Sequence, residues 1–321
     1  MDLAERVDRA VRRMPPGVRA LTASQGDRTV AHHWSPPEPT DLRSLTKTVV
    51  ALAVGVAVDR RERLGELTWS VDLTVPQVLA QVPALARLPG LAAWSPVRIG
   101  HLMSNTIGHH RGFGFRADLA GRDPDRLLEQ IVAAPLAHPA GTHFAYSNVG
   151  WSLLSAMVQE LTGQRLSDWV AERVTGPLGI EALAWRRHGR YDAGGTGLRL
   201  TPADLHRLAE LLRQQGRAGD RRVIGIEWCR RMTSPLVPTP DRWDPTATLP
   251  KSGYGYGIWS CGDGRYFGDG TGGQYLVVDP ERELAVTVLS GDSDMDAIQD
   301  ALAPLVRRAA PAASRPPGDG G

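Results

Sequence analysis

Hydrophobic and polar positions change period several times along the chain, and each change marks an element. Residues 1–13 carry apolar positions at helical spacing among charges, the pattern of a short amphipathic helix. Gly17 to Ser24 and Arg28 to Trp34 are short runs joined by Gln25-Gly26-Asp27, which predicts a hairpin and the start of a sheet. Pro36-Pro37-Glu38-Pro39 interrupts that sheet, and Thr40 or Asp41 is placed to cap the helix that follows. From about Thr68 to Trp185 the spacing is mostly helical. Its segments are Pro76 to Ala86, Arg98 to Met103, Arg126 to Ala133, Trp151 to Leu161 and Ser167 to Val174, set apart by Pro and Gly. Thr201-Pro202-Ala203-Asp204 supplies a cap, a first-turn proline and an acidic third residue ahead of a helix over Leu205 to Gln215. Five prolines between Pro235 and Ser252 predict a long loop, a candidate flap over a cleft. Strands follow at Tyr254 to Ser260, Gln274 to Val278 and Leu284 to Leu289, with a closing helix at Ala297 to Arg308.

Strands thus stand at both ends with helices between them, which predicts an α+β fold. Its simplest form is one α/β sandwich lobe, with an antiparallel sheet built from both termini (about 1–65 and 186–308), and an inserted all-α lobe (about 66–185). Residues 1–308 are read as a single catalytic domain, and Ala309 to Gly321, rich in Pro, Gly and Ala, as a disordered tail.

One helix stands out, read over Arg43 to Val58. After Lys47 it is apolar on nearly every side, the pattern of a helix buried all round, so a lysine enters a core. Ser44 and Lys47 are three residues apart and share a helix face, which puts a nucleophile beside a candidate base. Composition sharpens the point. Lys47 and Lys251 are the only lysines in the chain, and nearly all other positive charge is arginine. Arginine keeps its proton, whereas a desolvated lysine can lose it. A plainer reading, a first-turn lysine reaching to water, is left open by the helix alone.

Net charge of +2 without a long basic or acidic block argues against a nucleic-acid partner. No apolar h-region follows the first helix, and Val49 to Val58 is too short to span a bilayer, so the expectation is a cytoplasmic protein without a membrane partner. Cys229 and Cys261 form no metal-binding or disulfide pattern, and no metal or cofactor is expected. His32-His33 and His109-His110 read as structural or solvent-facing, and Trp151, Trp169 and Trp185 as core.

A second constellation is Tyr146-Ser147-Asn148, leading directly into a helix. On extended backbone, residues two apart point the same way, so Tyr146 and Asn148 can face one cleft. With Leu42-Arg43-Ser44-Leu45-Thr46-Lys47-Thr48 about a hundred residues earlier, the chain resembles the serine β-lactamase and penicillin-binding-protein superfamily, most closely its class C-like serine hydrolase and esterase branch. The likeness continues through Gly194 to Leu205, Tyr254-Gly255-Tyr256-Gly257 and Gly270-Thr271-Gly272-Gly273-Gln274, and covers roughly residues 15 to 308. It implies the β-lactamase/transpeptidase-like fold, with Ser44 as the acylated nucleophile and Lys47 with Tyr146 as the proton-transfer pair. The Lys47 cation would favour a Tyr146 phenolate. It also implies an oxyanion hole from the backbone N–H groups of Ser44 and Thr271, and substrate contacts from Asn148, Asp269, Gly270 and Gly272.

The third motif departs from that family, which carries a cationic Lys-Thr-Gly or His-Thr-Gly where this chain has Gly268-Asp269-Gly270. No cation is expected there, and Asp269 should disfavour substrates with a carboxylate beside the scissile bond. Lys251-Ser252-Gly253 spells an acceptable triad but precedes the Tyr254 strand, so Lys251 is read as a structural loop lysine. The leading expectation is a serine hydrolase acting on a small ester or amide. An acyltransferase passing the acyl group to an amine or alcohol is the alternative within the same chemistry. True β-lactamase or D-alanyl peptidase activity ranks lower, and a catalytically silent binding module lower still.

Overall fold

The computed structural model describes residues 2–181 and 184–308; the expected disordered tail, 309–321, lies outside the described residues. Helix α1 (Leu3–Val11) starts at a reciprocal cap, in which Asp2 accepts from the Glu5 N–H and Glu5 from the Asp2 N–H, and it buries Leu3, Val7 and Ala10. Strands β1 (Val18–Gln25) and β2 (Arg28–His33) form the expected hairpin, with Gln25 opposite Arg28. Helix α2 (Thr46–Asp59) carries the core lysine, α3 (Val149–Thr162) follows the Tyr146 segment, and α4 (Pro202–Arg213) starts at the Thr201 cap.

The C-terminal part supplies β3 (Val237–Pro238), β4 (Gly253–Tyr254), β5 (Trp259–Ser260), β6 (Tyr266–Gly270), β7 (Gln274–Asp279), β8 (Leu284–Ser290) and helix α5 (Met295–Val306). These join one antiparallel eight-stranded sheet in the order β3-β4-β5-β6-β7-β8-β1-β2. The first strand of the chain therefore pairs with the last, Leu21 opposite Val288 and Ala23 opposite Val286.

Both faces of this sheet are covered, and alternation sorts its side chains between two cores. On β7, Tyr275 and Val277 join a core with α1 and α5, while Leu276 and Val278 join the larger core of α2, α4 and the helical middle. That middle contains helices at Val75–Leu79, Ile99–Ser104, Leu127–Ala133 and Leu166–Val170, besides α3. The expected helix Pro76 to Ala86 ends early, at Leu79, because Pro83 lacks the N–H needed to continue it. Trp151, Trp169 and Trp185 are buried, as are the free thiols of Cys229 and Cys261.

One correction matters for the site. The strand expected over Tyr254 to Ser260 is a hairpin, β4 turning into β5 through Gly255-Tyr256-Gly257-Ile258, with the Gly255 N–H donating to the Ile258 carbonyl at 2.9 Å. Gly257 takes φ +68° there, and a Cβ would meet the Lys47 carbonyl at 2.8 Å. Its own carbonyl accepts from Thr48 Oγ1 at 2.7 Å, so this turn is fastened to α2.

Candidate active site

Ser44 sits in a single 3₁₀ turn, Arg43–Leu45, that feeds α2. Leu42 and Leu45 are fully buried on either side and fix the turn in the core. Arg43 takes a left-handed φ of +52°, a conformation that costs a non-glycine residue about 1 kcal/mol or more. Its N–H donates to Asp41 Oδ1 at 2.8 Å, but Asp41 is not the expected cap, since Leu42 holds that position and makes no side-chain cap bond. Thr40, the other expected cap, instead pairs opposite Leu200 in a short sheet. Strand β6 runs directly against this turn: a Cβ on Gly270 would meet the Leu42 carbonyl at 2.2 Å.

Lys47 is wholly buried. Its Nζ lies 2.6 Å from Asn148 Oδ1, 2.8 Å from the Gly195 carbonyl and 3.2 Å from Ser44 Oγ. The first two atoms can only accept. A neutral amine satisfies both with its two hydrogens and turns its lone pair to the Ser44 hydroxyl. The Asn148 orientation is fixed by its other end, where Nδ2 donates to the Gly114 carbonyl at 3.1 Å. Burial pulls the Lys47 ammonium down to about 7, against an opposing pull from Asp269.

Tyr146 stands on the extended segment before α3, held by Asn105. The Asn105 carbonyl accepts from Ala145 N–H at 2.9 Å and its Oδ1 from Ser147 N–H at 3.2 Å. The Tyr146 ring stacks on Trp259 with centroids 5.4 Å apart, meets Tyr254 edge-on, and lies 5.0 Å from Lys47 Nζ. Burial and then Asp269 push its phenol well above the usual range, against weaker opposing pulls from the Ser44 hydroxyl, Arg242 and the Tyr254 hydroxyl. Burial thus works against the expected phenolate and against the Lys47 cation that would favour it. Desolvation penalises both charges, so the resting pair tends toward neutral amine and neutral phenol.

Asp269 is placed differently from its expectation too. Its Oδ2 accepts from Lys251 Nζ at 2.7 Å and its Oδ1 from Trp259 Nε1 at 2.9 Å, leaving the carboxylate engaged on both oxygens. A cation does stand at the third motif, because Lys251, on the loop ahead of β4, reaches Asp269. The β4–β5 hairpin lays the segment after Lys251 beside β5, and the Lys251 side chain reaches past Trp259 to Asp269 on β6, which linear reading of one long strand could not place. The Lys251 ammonium also lies 4.5 Å from the Trp259 ring centroid.

Beside Ser44 opens a cavity of about 600 Å³, whose wall includes Phe115, Leu119, Leu127, Asn148, Thr196 and Thr271. Ser44 and Thr271 share this wall, whereas Asp269, Gly270 and Gly272 are not among its lining residues. Gly272 belongs to the turn after β6, where the Gly273 N–H donates to the Gly270 carbonyl at 3.1 Å. Tyr254, Trp259 and the Gly195 carbonyl are site groups the sequence reading did not assign. The Gly194-Gly195 text was visible, but a carbonyl carries no side-chain signature. His109 is a buried ring against Trp94 and Phe113, held neutral by burial that pulls it down to about 4. His32 packs edge-on against Trp34, and His110 stacks with His138 and His143. Among the described residues, no group of three or more His, Cys, Asp or Glu side chains is arranged to hold a metal ion. None of the described helices is long and apolar enough to cross a membrane.

Comparison with known proteins places this arrangement in context. The profile of the Beta-lactamase family matches residues 7–310. Penicillin-binding protein 4 of Amycolatopsis lactamdurans is 26% identical over 298 residues, 78% of this chain and 77% of that protein. A relative from Escherichia coli (strain K12) is 31% identical over 117 residues, 32% of this chain, and the match spans only 26% of that protein's length. Among solved structures, EstCE1, a hydrolase with promiscuous acyltransferase activity, superposes with a TM-score of 0.70 at 18% identity over 94% of this chain and 98% of its own. At that identity the likeness speaks for the fold alone.

Proposed function

The chain belongs to the Beta-lactamase family, and from that premise we propose that it is a serine hydrolase cleaving a small ester or amide through an acyl-enzyme on Ser44. The observation that carries this reading is the setting of Lys47: a buried amine with two acceptor-only partners and Ser44 Oγ at the third position, 3.2 Å away. As Ser44 Oγ bonds to the substrate carbonyl carbon, its proton passes to Lys47 Nζ. The backbone N–H groups of Ser44 and Thr271 receive the oxyanion. When the carbon–leaving-group bond breaks, the Tyr146 phenol donates a proton to the departing oxygen or nitrogen and is resupplied from the Lys47 ammonium. Water then repeats the steps in the opposite sense to free Ser44.

The test is covalent labelling with a fluorophosphonate probe, read by intact mass. The native chain should gain one adduct and Ser44→Ala none, with an unchanged circular dichroism spectrum. Equal labelling of the variant would remove Ser44 from the reaction. The acyltransferase reading shares every step up to deacylation and draws support from the promiscuous acyltransferase activity of EstCE1. Adding an amine or alcohol to the acylated protein separates the two: transfer yields the amide or new ester in place of free acid.

A further inference from the structure

The charges around the cavity beside Ser44 do not balance. Three arginines, Arg43, Arg122 and Arg186, line it, against one carboxylate, Asp123. Two of the three converge on a single acid from outside the lining: Arg186 Nη2 lies 2.8 Å and Arg43 Nη1 3.7 Å from Asp41 Oδ2. Asp41 Oδ1 is already engaged by the Arg43 N–H. Arg122 has a neutral partner, donating to Gln130 Oε1 at 3.2 Å. His188 is also on the wall, where burial and then Arg186 oppose its protonation. The one acid on the wall is partly engaged as well, because Asp123 Oδ1 accepts the Asp125 N–H at 3.0 Å. Beyond the Arg122–Gln130 bridge a second hollow of about 420 Å³ continues, whose wall carries Arg111 and one carboxylate, Asp118, the latter accepting the Phe115 N–H at 3.0 Å.

Arginine forks match the two oxygens of a carboxylate or the oxygens of a phosphate. Between apolar walls their attraction for an anion is stronger than in open water. The acid that was expected to repel anions, Asp269, is engaged by Lys251 and Trp259 and lies outside the cavity wall. Resting on the Ser44 acyl-enzyme reading, we infer that the acyl arm of the substrate is an apolar chain ending in an anionic group, a carboxylate or a phosphate. Arg186 and Arg122 hold that end while the ester or amide carbonyl lies at Ser44. The expectation from the third motif concerned a carboxylate beside the scissile bond, whereas this anion lies at the far end of the acyl arm.

The experiment compares p-nitrophenyl esters of one chain length whose far end is a carboxylate, its methyl ester or a phosphonate, each read by kcat/KM and by intact mass of the acylated chain. Wild type should favour the charged arms over the methyl ester by about tenfold or more, the factor that one charge-assisted contact of about 1.4 kcal/mol supplies. Arg186→Gln and Arg122→Gln should each bring the ratio toward one. Arg199→Gln, whose guanidinium donates to the Pro39 carbonyl and does not line the cavity, should leave it in place. Because Arg186 also holds Asp41, Arg122→Gln is the decisive variant should Arg186→Gln fail to fold. A larger gain with the phosphonate arm assigns the anion as phosphate, and a larger gain with the carboxylate arm assigns it as an acid. Acylation of Ser44 at equal efficiency by charged and neutral arms overturns this inference and leaves the acyl-enzyme standing. A preference that survives loss of both arginines, or that follows an anion on the leaving group instead, also overturns it. Failure of every ester to acylate Ser44 removes the enzyme reading, and this inference with it.

Discussion

At the scale of single residues the proposed chemistry turns on one proton at Lys47. Its folded value near 7 lies far below the ordinary 10.5, because burial removes water from the ammonium. A lysine depressed in this way is neutral in the fold but charged in the unfolded chain between those two values. The unfolded state then binds the extra proton, so stability rises with pH across that window and is insensitive to this group below it. Lys47→Met carries no such group. The unfolding free energy of the variant minus that of wild type should therefore fall steadily from about pH 7 to about pH 10 in urea melts. A difference that stays flat would mean that Lys47 keeps its proton in the fold and is no base. Ser44 and Lys47 stood out as candidates because a lysine enters an apolar helix with a serine three residues before it, whereas Tyr146, which alone reads as a core aromatic, was singled out only through the family resemblance. The left-handed Arg43 and the Gly195 carbonyl were not legible, since backbone conformation and backbone acceptors leave no residue-type signal.

At the scale of elements, one misread hairpin accounts for the misplaced Lys251. Tyr254 to Ser260 has the aromatic and apolar content of a strand, and only the glycines at 255 and 257 mark the turn that splits it. Once split, the chain doubles back and puts Lys251 on Asp269 and Trp259 against Tyr146. Breaking this pair from one side leaves a buried carboxylate short of its cation. Lys251→Ala should cost on the order of 2 kcal/mol, below the range for a fully buried pair because Lys251 retains some exposure. Asp269→Asn in the same background should recover part of that loss, since no anion is then left unpaired. Urea melts of the two single variants and the double variant check this. Strictly additive losses would show that the pair contributes no coupling and that Lys251 matters only through its contact with the Trp259 ring.

At the scale of the whole molecule, the broad plan was legible because it follows from where strand and helix periods fall along the chain. Strands near both termini could share a sheet only if the chain returned to its start, and β8 does pair with β1. The boundaries of the helical middle were less legible, because proline and local turns shorten helices whose apolar spacing runs on. The assembly brings Ser44 from the turn before α2 and Thr271 from the turn after β6 to one cavity wall, and sets Tyr146, from the segment before α3, beside Lys47. The account rests on Lys47 taking the proton of Ser44 as a neutral amine. The most direct test is the rate of Ser44 acylation by an activated neutral ester, followed by intact mass against pH for wild type and Lys47→Arg. The account predicts a wild-type rate that rises with pH through an apparent value near 7 and then levels. It also predicts an arginine variant slower by about 10²-fold or more at every pH, because arginine keeps the charge and cannot accept the proton. A pH-independent wild-type rate, or an arginine variant that acylates nearly as fast, would contradict it.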